Sequence, residues 1–163
     1  MTSVALEPMT AAEFDAMKTA SIVQYARENV AVGNWPKEEA ERLSAVEIDR
    51  LLPEGRATPD HFFFTVRAGP AQEIVGHLWF AIRRPPDGSG GFVFEVEIRE
   101  PHRRKGYGEG TFRALEEFAR ARGVDRIGLH VFGSNAGAIA LYRKLGFDTT
   151  GLLMMKKLDR GSA

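Results

Sequence analysis

The sequence has 163 residues and contains no cysteine. Disulfide bonds, a thiol nucleophile and zinc held by cysteine are therefore excluded. Histidine is scarce as well, and the four that occur lie far apart and form no HxxxH pair: His61, His77, His102 and His130. Because metal ligands usually come at short and regular spacings, we expect no metal site.

The chain also lacks an excess of charge of either sign, since Lys plus Arg and Asp plus Glu number 22 each. Nucleic-acid binding normally requires a basic surplus, so we expect no nucleic-acid partner. No apolar run approaches the length of a membrane span, and the start "MTSVALEPMT" has neither the cationic nor the apolar region of a secretory signal. We therefore expect a cytoplasmic protein with no membrane partner.

What the chain does contain is the composition of a globular protein, with 44% hydrophobic and 27% charged residues. Its length fits a single domain over residues 1–163. The stretch "MTAAEFDAMKTASIVQYAREN" predicts a helix that opens with Thr10 and Glu13 at the spacing of a capping box. The stretch "GNWPKEEAERLSAVEIDRLLPEG" predicts a second helix that turns Leu43, Val46 and Leu51 inward.

Three alternating stretches follow, "HFFFTVRA", "EIVGHLWFAIRR" and "GFVFEVEIRE", which predict three consecutive antiparallel strands. A helix is predicted from Gly108 to Arg122, with Phe112, Leu115 and Ala119 inward. Then come a short strand "RIGLHVF", a helix "NAGAIALYRKLG" and a strand-like tail "FDTTGLLMMKKL". This order predicts one α/β domain around a mixed sheet.

The loop "EPHRRKGYGEG" lies between a predicted strand and a predicted helix. Such a turn makes an anion site, because the first amides of a helix have no internal partner and the helix dipole favours negative charge. A plain surface turn whose three cations are merely solvated is the alternative. A dinucleotide loop does not fit, since Gly106 and Gly108 are followed by Thr111, and no Gly-Lys-Ser/Thr marks a P-loop.

Two motifs narrow these alternatives. The first is Arg103-x-x-Gly106-x-Gly108, and the second lies some thirty residues later with Asn135, Ala138, Tyr142, Gly146 and Phe147 in order. With both motifs the sequence resembles the GNAT superfamily of acyl-CoA N-acyltransferases. The resemblance is specific over residues 92–158 and architectural over residues 1–91. Its second half is most similar to bacterial enzymes of the ribosomal-protein alanine acetyltransferase type and their uncharacterised relatives.

The resemblance implies a GNAT fold: a mixed, mostly antiparallel sheet flanked by helices and splayed between its fourth and fifth strands. It also implies acetyl-CoA as cosubstrate, no metal, and direct transfer of the acetyl group to a primary amine in a ternary complex. The acceptor would be a small molecule, a peptide N-terminus or a lysine. The resemblance leaves open whether the protein forms a homodimer.

The same resemblance implies which residues hold the cosubstrate. The pantetheine arm would lie in the gap between the splayed strands, against the main chain of Val96, Glu97 and Ile98, with the Ile98 amide near the thioester carbonyl. The pyrophosphate would sit on the glycine loop, formed by Arg103, Arg104, Lys105, Gly106, Tyr107 and Gly108. Asn135 would fix the cofactor arm, and its position also suits a helix N-cap.

Tyr142 matches the general acid of the superfamily and would also contact the cofactor, although a core aromatic residue would suit the same position. The general base has three candidates. The alanine-acetyltransferase relatives carry glutamate where this chain has His130, and histidine can act as a base near neutral pH. Glu97 ranks beside His130, and Glu95 ranks just behind. Glu95 and Glu97 are expected to share one face of their strand.

The acceptor pocket is implied only loosely, at Tyr25, Asn34, Trp35 and the loop "PEGRATPDHFF". Two other functions remain as alternatives to an enzyme. One is a catalytically silent GNAT-fold module that binds CoA as a sensor. The other is an interaction domain whose glycine loop is a plain turn.

Overall fold

The centre of the molecule is a five-stranded sheet in the order β1-β2-β3-β4-β5, in a computed structural model that describes residues 3–161. Neighbouring strands from β1 to β4 are antiparallel, whereas β4 and β5 are parallel. The predicted mixed sheet is therefore confirmed. The strands are β1 (Val4–Pro8), β2 (His61–Ala68), β3 (Glu73–Arg83), β4 (Gly90–Ile98) and β5 (Ile127–Leu129).

Within residues 3–161, four α-helices flank the sheet: α1 (Ala11–Ala31), α2 (Ala40–Leu51), α3 (Tyr107–Arg120) and α4 (Ala136–Lys144). The predicted capping box begins α1, because the Thr10 hydroxyl accepts a bond from the Glu13 amide at 3.1 Å and the Glu13 carboxylate accepts one from the Thr10 amide at 2.9 Å. Two of the four otherwise unpaired donors at the start of the helix are satisfied in this way.

Each face of the sheet carries its own apolar core. Adjacent residues go to opposite cores, as period-two alternation requires: Phe63 and Trp79 to one, Phe64 and Phe80 to the other. We call the side covered by α1 and α2 the α1 face, with Phe14, Met17 and Ile48 in its core. The opposite side is the α3 face, with the predicted inward residues Phe112, Leu115 and Ala119. The sheet is thus covered on both sides.

The buried side of α2 differs in part from the prediction. Leu51 packs against the core of the α1 face as expected, whereas Val46 is 52% exposed and the fully buried row is Ala40, Ser44 and Ile48. Small residues at this contact let α2 approach α1 closely, and the Ser44 hydroxyl donates to the carbonyl of Ile22 at 2.7 Å. A count of large apolar residues misses this row, because close approach here depends on alanine and serine.

The two ends of the chain also differ from the prediction. None of the patterns predicts β1, which pairs with β2 at the edge of the sheet. The predicted strand in the tail is wrong, since residues 148–161 have no regular secondary structure. Its apolar side chains are 78–84% exposed: Leu152, Leu153, Met154, Met155 and Leu158. The tail has the residue types of a strand, but a strand also needs a neighbouring ladder of hydrogen bonds.

Within residues 3–161 no helix combines the length and the apolar character needed to cross a lipid bilayer.

Candidate active site

The parallel strands β4 and β5 separate after three paired positions. Their register runs from Gly91 beside Ile127 to Val93 beside Leu129, and there the pairing stops. β4 nevertheless continues to Ile98. The splay expected between the fourth and fifth strands is therefore present, and it opens a gap between residues 94–98 and residues 130–132. Backbone groups that border such a gap need partners from outside the sheet.

A β-bulge at Phe94 decides which residues of β4 border the gap. The Gly91 amide donates to a carbonyl on the β5 side at 2.8 Å, and the Arg99 amide donates to the Val75 carbonyl on the β3 side at 2.8 Å. In a regular strand, residues eight apart direct their backbone N–H and C=O groups toward the same neighbouring strand. The register with β3 shifts between Trp79 and Phe80, which adds Phe94 as one extra residue in β4 and reverses the alternation.

The bulge has a consequence for each of the three residues expected beside the pantetheine. The backbone groups of Val96 and Ile98 face the open gap, whereas those of Glu97 face His77 on β3. The Ile98 carbonyl accepts a bond from the Nε of Arg103 at 2.8 Å. The structure therefore brings Val96 and the Ile98 amide to the gap and leaves the main chain of Glu97 in the sheet.

The glycine loop leads from the end of β4 to the first turn of α3. Arg104 and Gly106 both have left-handed backbone angles, with φ of 60° and 82°. Glycine adopts this conformation without strain, which explains its use at the N-cap of α3. In the part of the chain that the structure describes, three amides at the start of α3 donate to no backbone carbonyl: Tyr107, Gly108 and Glu109. Their N–H groups and the positive end of the helix dipole together suit an anion.

Gly108 lies in this first turn and faces α4. A Cβ atom added there would lie 3.4 Å from Leu141 Cδ2 and 4.0 Å from Ile98 Cγ1, which are ordinary contacts. The protein's own packing therefore does not require glycine at position 108.

Asn135 begins α4. Its side-chain oxygen accepts a bond from the Ala138 amide at 3.1 Å, so the expected N-cap is present. The expected contact with the cofactor would use the side-chain amide nitrogen of Asn135, which takes no part in the cap.

Tyr142 is half-buried between two aromatic rings. Its ring meets Phe112 and Phe147 edge-on, with centroids 5.7 and 5.8 Å away. Burial raises the pKa of the Tyr142 phenol, so the group stays protonated at neutral pH. Among the described residues none bonds to the hydroxyl, and no polar side-chain atom is both fully buried and unpaired, so the hydroxyl is accessible. The residue is thus a core aromatic with an available proton.

His130 follows β5 directly and is exposed, with the ring of Phe132 edge-on at 5.0 Å. It lines the same open cleft as Tyr142, a space of about 1400 Å³ beside β5. Tyr25 and Asn34, two of the residues expected at the acceptor, also line this cleft. The structure therefore brings His130, Tyr142 and part of the expected acceptor side together.

Glu95 and Glu97 share one face of β4, as expected, and this is the α1 face for a reason that the sequence does not reveal. Without the bulge they would lie on the side of Val93, in the core under α3. With it, the Glu95 carboxylate receives the Ser21 hydroxyl of α1 at 2.7 Å and lies 2.9 Å from Nε2 of His77. No sequence pattern points to Ser21 and His77, because only the strand register brings them to the glutamates.

The rest of the expected acceptor side is only partly open. Trp35 packs edge-on against Tyr25 at 5.3 Å, and the Asn34 amide donates to the Asn29 side-chain oxygen at 2.9 Å. In the loop "PEGRATPDHFF", Arg56 donates to the Met9 carbonyl at 2.8 Å and Phe63 belongs to the core. Much of that loop therefore holds the fold together.

No group of three or more His, Cys, Asp or Glu side chains positioned for a metal ion occurs among residues 3–161.

Comparison with known proteins agrees with the fold and its mixed sheet. The model of the acetyltransferase (GNAT) family matches residues 23–147. The chain therefore belongs to the GNAT acetyltransferase family, and the resemblance carried by the two motifs is confirmed.

Two similar proteins come from Bacillus subtilis (strain 168), and both are uncharacterized N-acetyltransferases. YycN is 35% identical over 156 residues, which cover 96% of this chain and 99% of YycN. YdgE is 32% identical over 153 residues, which cover 94% of this chain and 97% of YdgE. The crystal structure of YycN covers 97% of this chain and 100% of its own, with a TM-score of 0.90. The chain is thus an N-acetyltransferase with the fold of this family.

Proposed function

We propose that residues 1–163 form one cytoplasmic acetyltransferase domain that transfers an acetyl group from acetyl-CoA directly to a primary amine. The observation that carries the proposal is the gap between β4 and β5, bordered by the backbone of Val96 and Ile98. The turn into α3, with its unpaired amides, begins at the same end of β4. One groove therefore offers partners to a linear amide-containing arm and to a pyrophosphate.

The chain's own residues fit the two parts of the cosubstrate. The backbone groups of Val96 and the amide of Ile98 suit the amides of the pantetheine arm, as though the arm were another strand. The amides of Gly106 to Glu109 suit the pyrophosphate, and Arg103, Arg104 and Lys105 add positive charge around it. Acetyl-CoA supplies an acetyl group activated as a thioester.

The reaction needs two proton transfers. A primary amine with a pKa near 10 is about a thousandfold protonated at pH 7, which costs about 4 kcal/mol unless a base removes the proton. The free amine then attacks the thioester carbonyl, the C–S bond breaks, and the Tyr142 hydroxyl donates a proton to the departing thiolate. From a phenol near pKa 10 to a thiol near 8.5 this last transfer is uphill by about 2 kcal/mol, and burial of Tyr142 increases the difference.

We place Glu97 first among the candidate bases. Its side chain is half-exposed on the α1 face, and its Oε2 lies 3.9 Å from Nε2 of His77, beyond hydrogen-bond distance. Glu95 is already engaged by Ser21 and His77. His130 is the second candidate, because it lines the cleft that Tyr142 also lines.

The proposal is tested by measuring free-thiol release from acetyl-CoA with a panel of primary amines: lysine, peptides with free N-termini, polyamines and aminoglycosides. Turnover that depends on one of these amines, with the acetyl group recovered on its nitrogen, supports the proposal. Binding of acetyl-CoA without thiol release from any amine favours a silent CoA-binding module. Absence of binding contradicts both.

A further inference from the structure

Four polar side chains from three elements meet on the α1 face beside the gap. Ser21 comes from α1, His77 from β3, and Glu95 and Glu97 from β4. The Ser21 hydroxyl donates to Oε2 of Glu95 at 2.7 Å, and Nε2 of His77 lies 2.9 Å from the same oxygen. Oε2 of Glu97 is 3.9 Å from that nitrogen. We call these residues the His77 cluster.

The exposure of the cluster increases toward the gap. Ser21 is 5% exposed. The side chains of His77 and Glu95 are 18% and 23% exposed, and that of Glu97 is 50% exposed. Ser21 and His77 therefore hold the Glu95 carboxylate in place, whereas Glu97 lies at the exposed end of the cluster. Of the two glutamates in the cluster, Glu97 is the one whose carboxylate is free to approach an acceptor.

The chemistry of the groups decides how His77 is bonded. An ionised carboxylate can only accept hydrogen bonds, so the short contact assigns the hydrogen to Nε2 of His77, which donates it to Glu95. Two carboxylates at alternate positions on one face of a strand repel each other. The N–H of His77 bonds to Glu95 and holds it back, and the same nitrogen lies 3.9 Å from Oε2 of Glu97, where it attracts that carboxylate without bonding to it.

We propose that His77 is a positioning residue for the acetyl transfer. This inference rests on the proposed function, with Glu97 as the base. Anchored through Glu95 and Ser21, the imidazole keeps Glu95 away from the acceptor and directs the Glu97 carboxylate toward it. The Phe94 bulge is what brings both glutamates beside His77. His77 itself touches neither the acetyl group nor the cosubstrate.

The first experiment needs no activity. The imidazole N–H signal of His77 is recorded by NMR on histidine-labelled protein and assigned by its loss in His77→Gln. A proton held between His77 and Glu95 exchanges slowly with water, so we expect a visible signal in the wild type that disappears in Glu95→Ala. The signal should persist in Ser44→Ala, which removes another buried serine of the α1–α2 layer. Persistence in Glu95→Ala overturns the contact.

The second experiment measures turnover with the best amine from the panel. We expect about a tenfold lower kcat in His77→Gln and in Glu95→Gln, with the KM for acetyl-CoA changed less than twofold. The double variant should be no slower than the slower single variant, because both act through one contact. Ser44→Ala should keep the wild-type kcat.

The outcomes separate the two proposals. A kcat for His77→Gln within twofold of the wild type, or an equal loss in Ser44→Ala, overturns the positioning role. If the wild type turns over no amine, the proposed function and the role of His77 in it fail together. The NMR signal still decides in that case whether the His77 cluster forms.

Discussion

The proposed donor side and the proposed acceptor side of the gap consist of different kinds of groups. The donor side would use main-chain groups: the backbone of Val96, the amide of Ile98 and the amides at the start of α3. The acceptor side would use side chains, with Glu97 and the His77 cluster on the α1 face. A binding site made of main-chain groups can be predicted from glycines at set spacings in the sequence. A site made of side chains depends on which residues the fold brings together. The variants below test this division, from the largest expected effect to the smallest.

Tyr142→Phe should lower kcat about a thousandfold, since general acid catalysis contributes about 10²- to 10⁴-fold. The change removes only the hydroxyl, and the contacts of the ring with Phe112 and Phe147 remain. The melting temperature and the affinity for acetyl-CoA should therefore stay the same. Thiol-release kinetics beside a thermal melt check both points, and an unchanged rate would remove Tyr142 from the mechanism.

Glu97→Gln should lower kcat/KM for the amine about a hundredfold at pH 7, because the ammonium form of the acceptor would keep its proton. His130→Gln is the comparison, and we expect it to stay within threefold of the wild type. Steady-state kinetics on both variants decide between the two candidate bases. A large loss in His130→Gln with little loss in Glu97→Gln would move the base across the gap to the end of β5.

Gly108→Ala should weaken acetyl-CoA binding about tenfold without destabilising the protein. The new methyl group meets only ordinary contacts, and alanine is favoured over glycine in a helix by about 0.5–1 kcal/mol. Gly137→Ala is a matched control, because Gly137 is likewise the second residue of its helix and a Cβ there meets nothing within 4 Å. Calorimetric titration with acetyl-CoA should separate them; equal affinities would contradict a main-chain pyrophosphate site at α3.

The smallest expected effect is on stability and concerns His61, which lies on the α1 face. Burial lowers the pKa of His61, and the Trp79 indole donates to its Nδ1 at 2.9 Å. The folded-state pKa is then below the unfolded value of about 6.5, so the unfolded state binds more protons at acidic pH. The stabilisation is present above about pH 6.5 and is lost as the pH falls.

At pH 5.5 this loss is at most about 1.4 kcal/mol, and partial exposure of the ring reduces it. Urea unfolding at pH 7.5 and 5.5 should show a smaller pH difference for His61→Gln than for the wild type. An equal change in unfolding free energy between the two pH values in both proteins would contradict the lowered pKa of His61.

The sequence predicts the elements around the glycine loop well because local rules govern them. The strand, the left-handed glycine at 106 and the following helix are neighbours in the chain, and the second motif places Asn135 at an N-cap by spacing alone. The helices α1 and α3 follow from periodicity and caps for the same reason.

The sequence does not reveal the proposed acceptor side, because one extra residue reverses the alternation of side chains along β4. Simple alternation places Glu95 and Glu97 on one face, but only the bulge at Phe94 turns that face toward α1 and His77. Nothing local to β4 marks this bulge. The tail shows the same limit, because residues 148–158 have strand-forming side chains and whether they pair depends on a distant edge.

The central claim is that the gap and the α3 turn hold acetyl-CoA, and thermal unfolding with and without acetyl-CoA tests it most directly. At a hundredfold excess over its dissociation constant, acetyl-CoA should add about 2.7 kcal/mol of stability. For a domain of this size that corresponds to a rise in melting temperature of roughly 5–11 °C. We expect this rise in the wild type and a smaller one in Gly108→Ala at the same concentration. An unchanged melting temperature in the wild type would contradict the account.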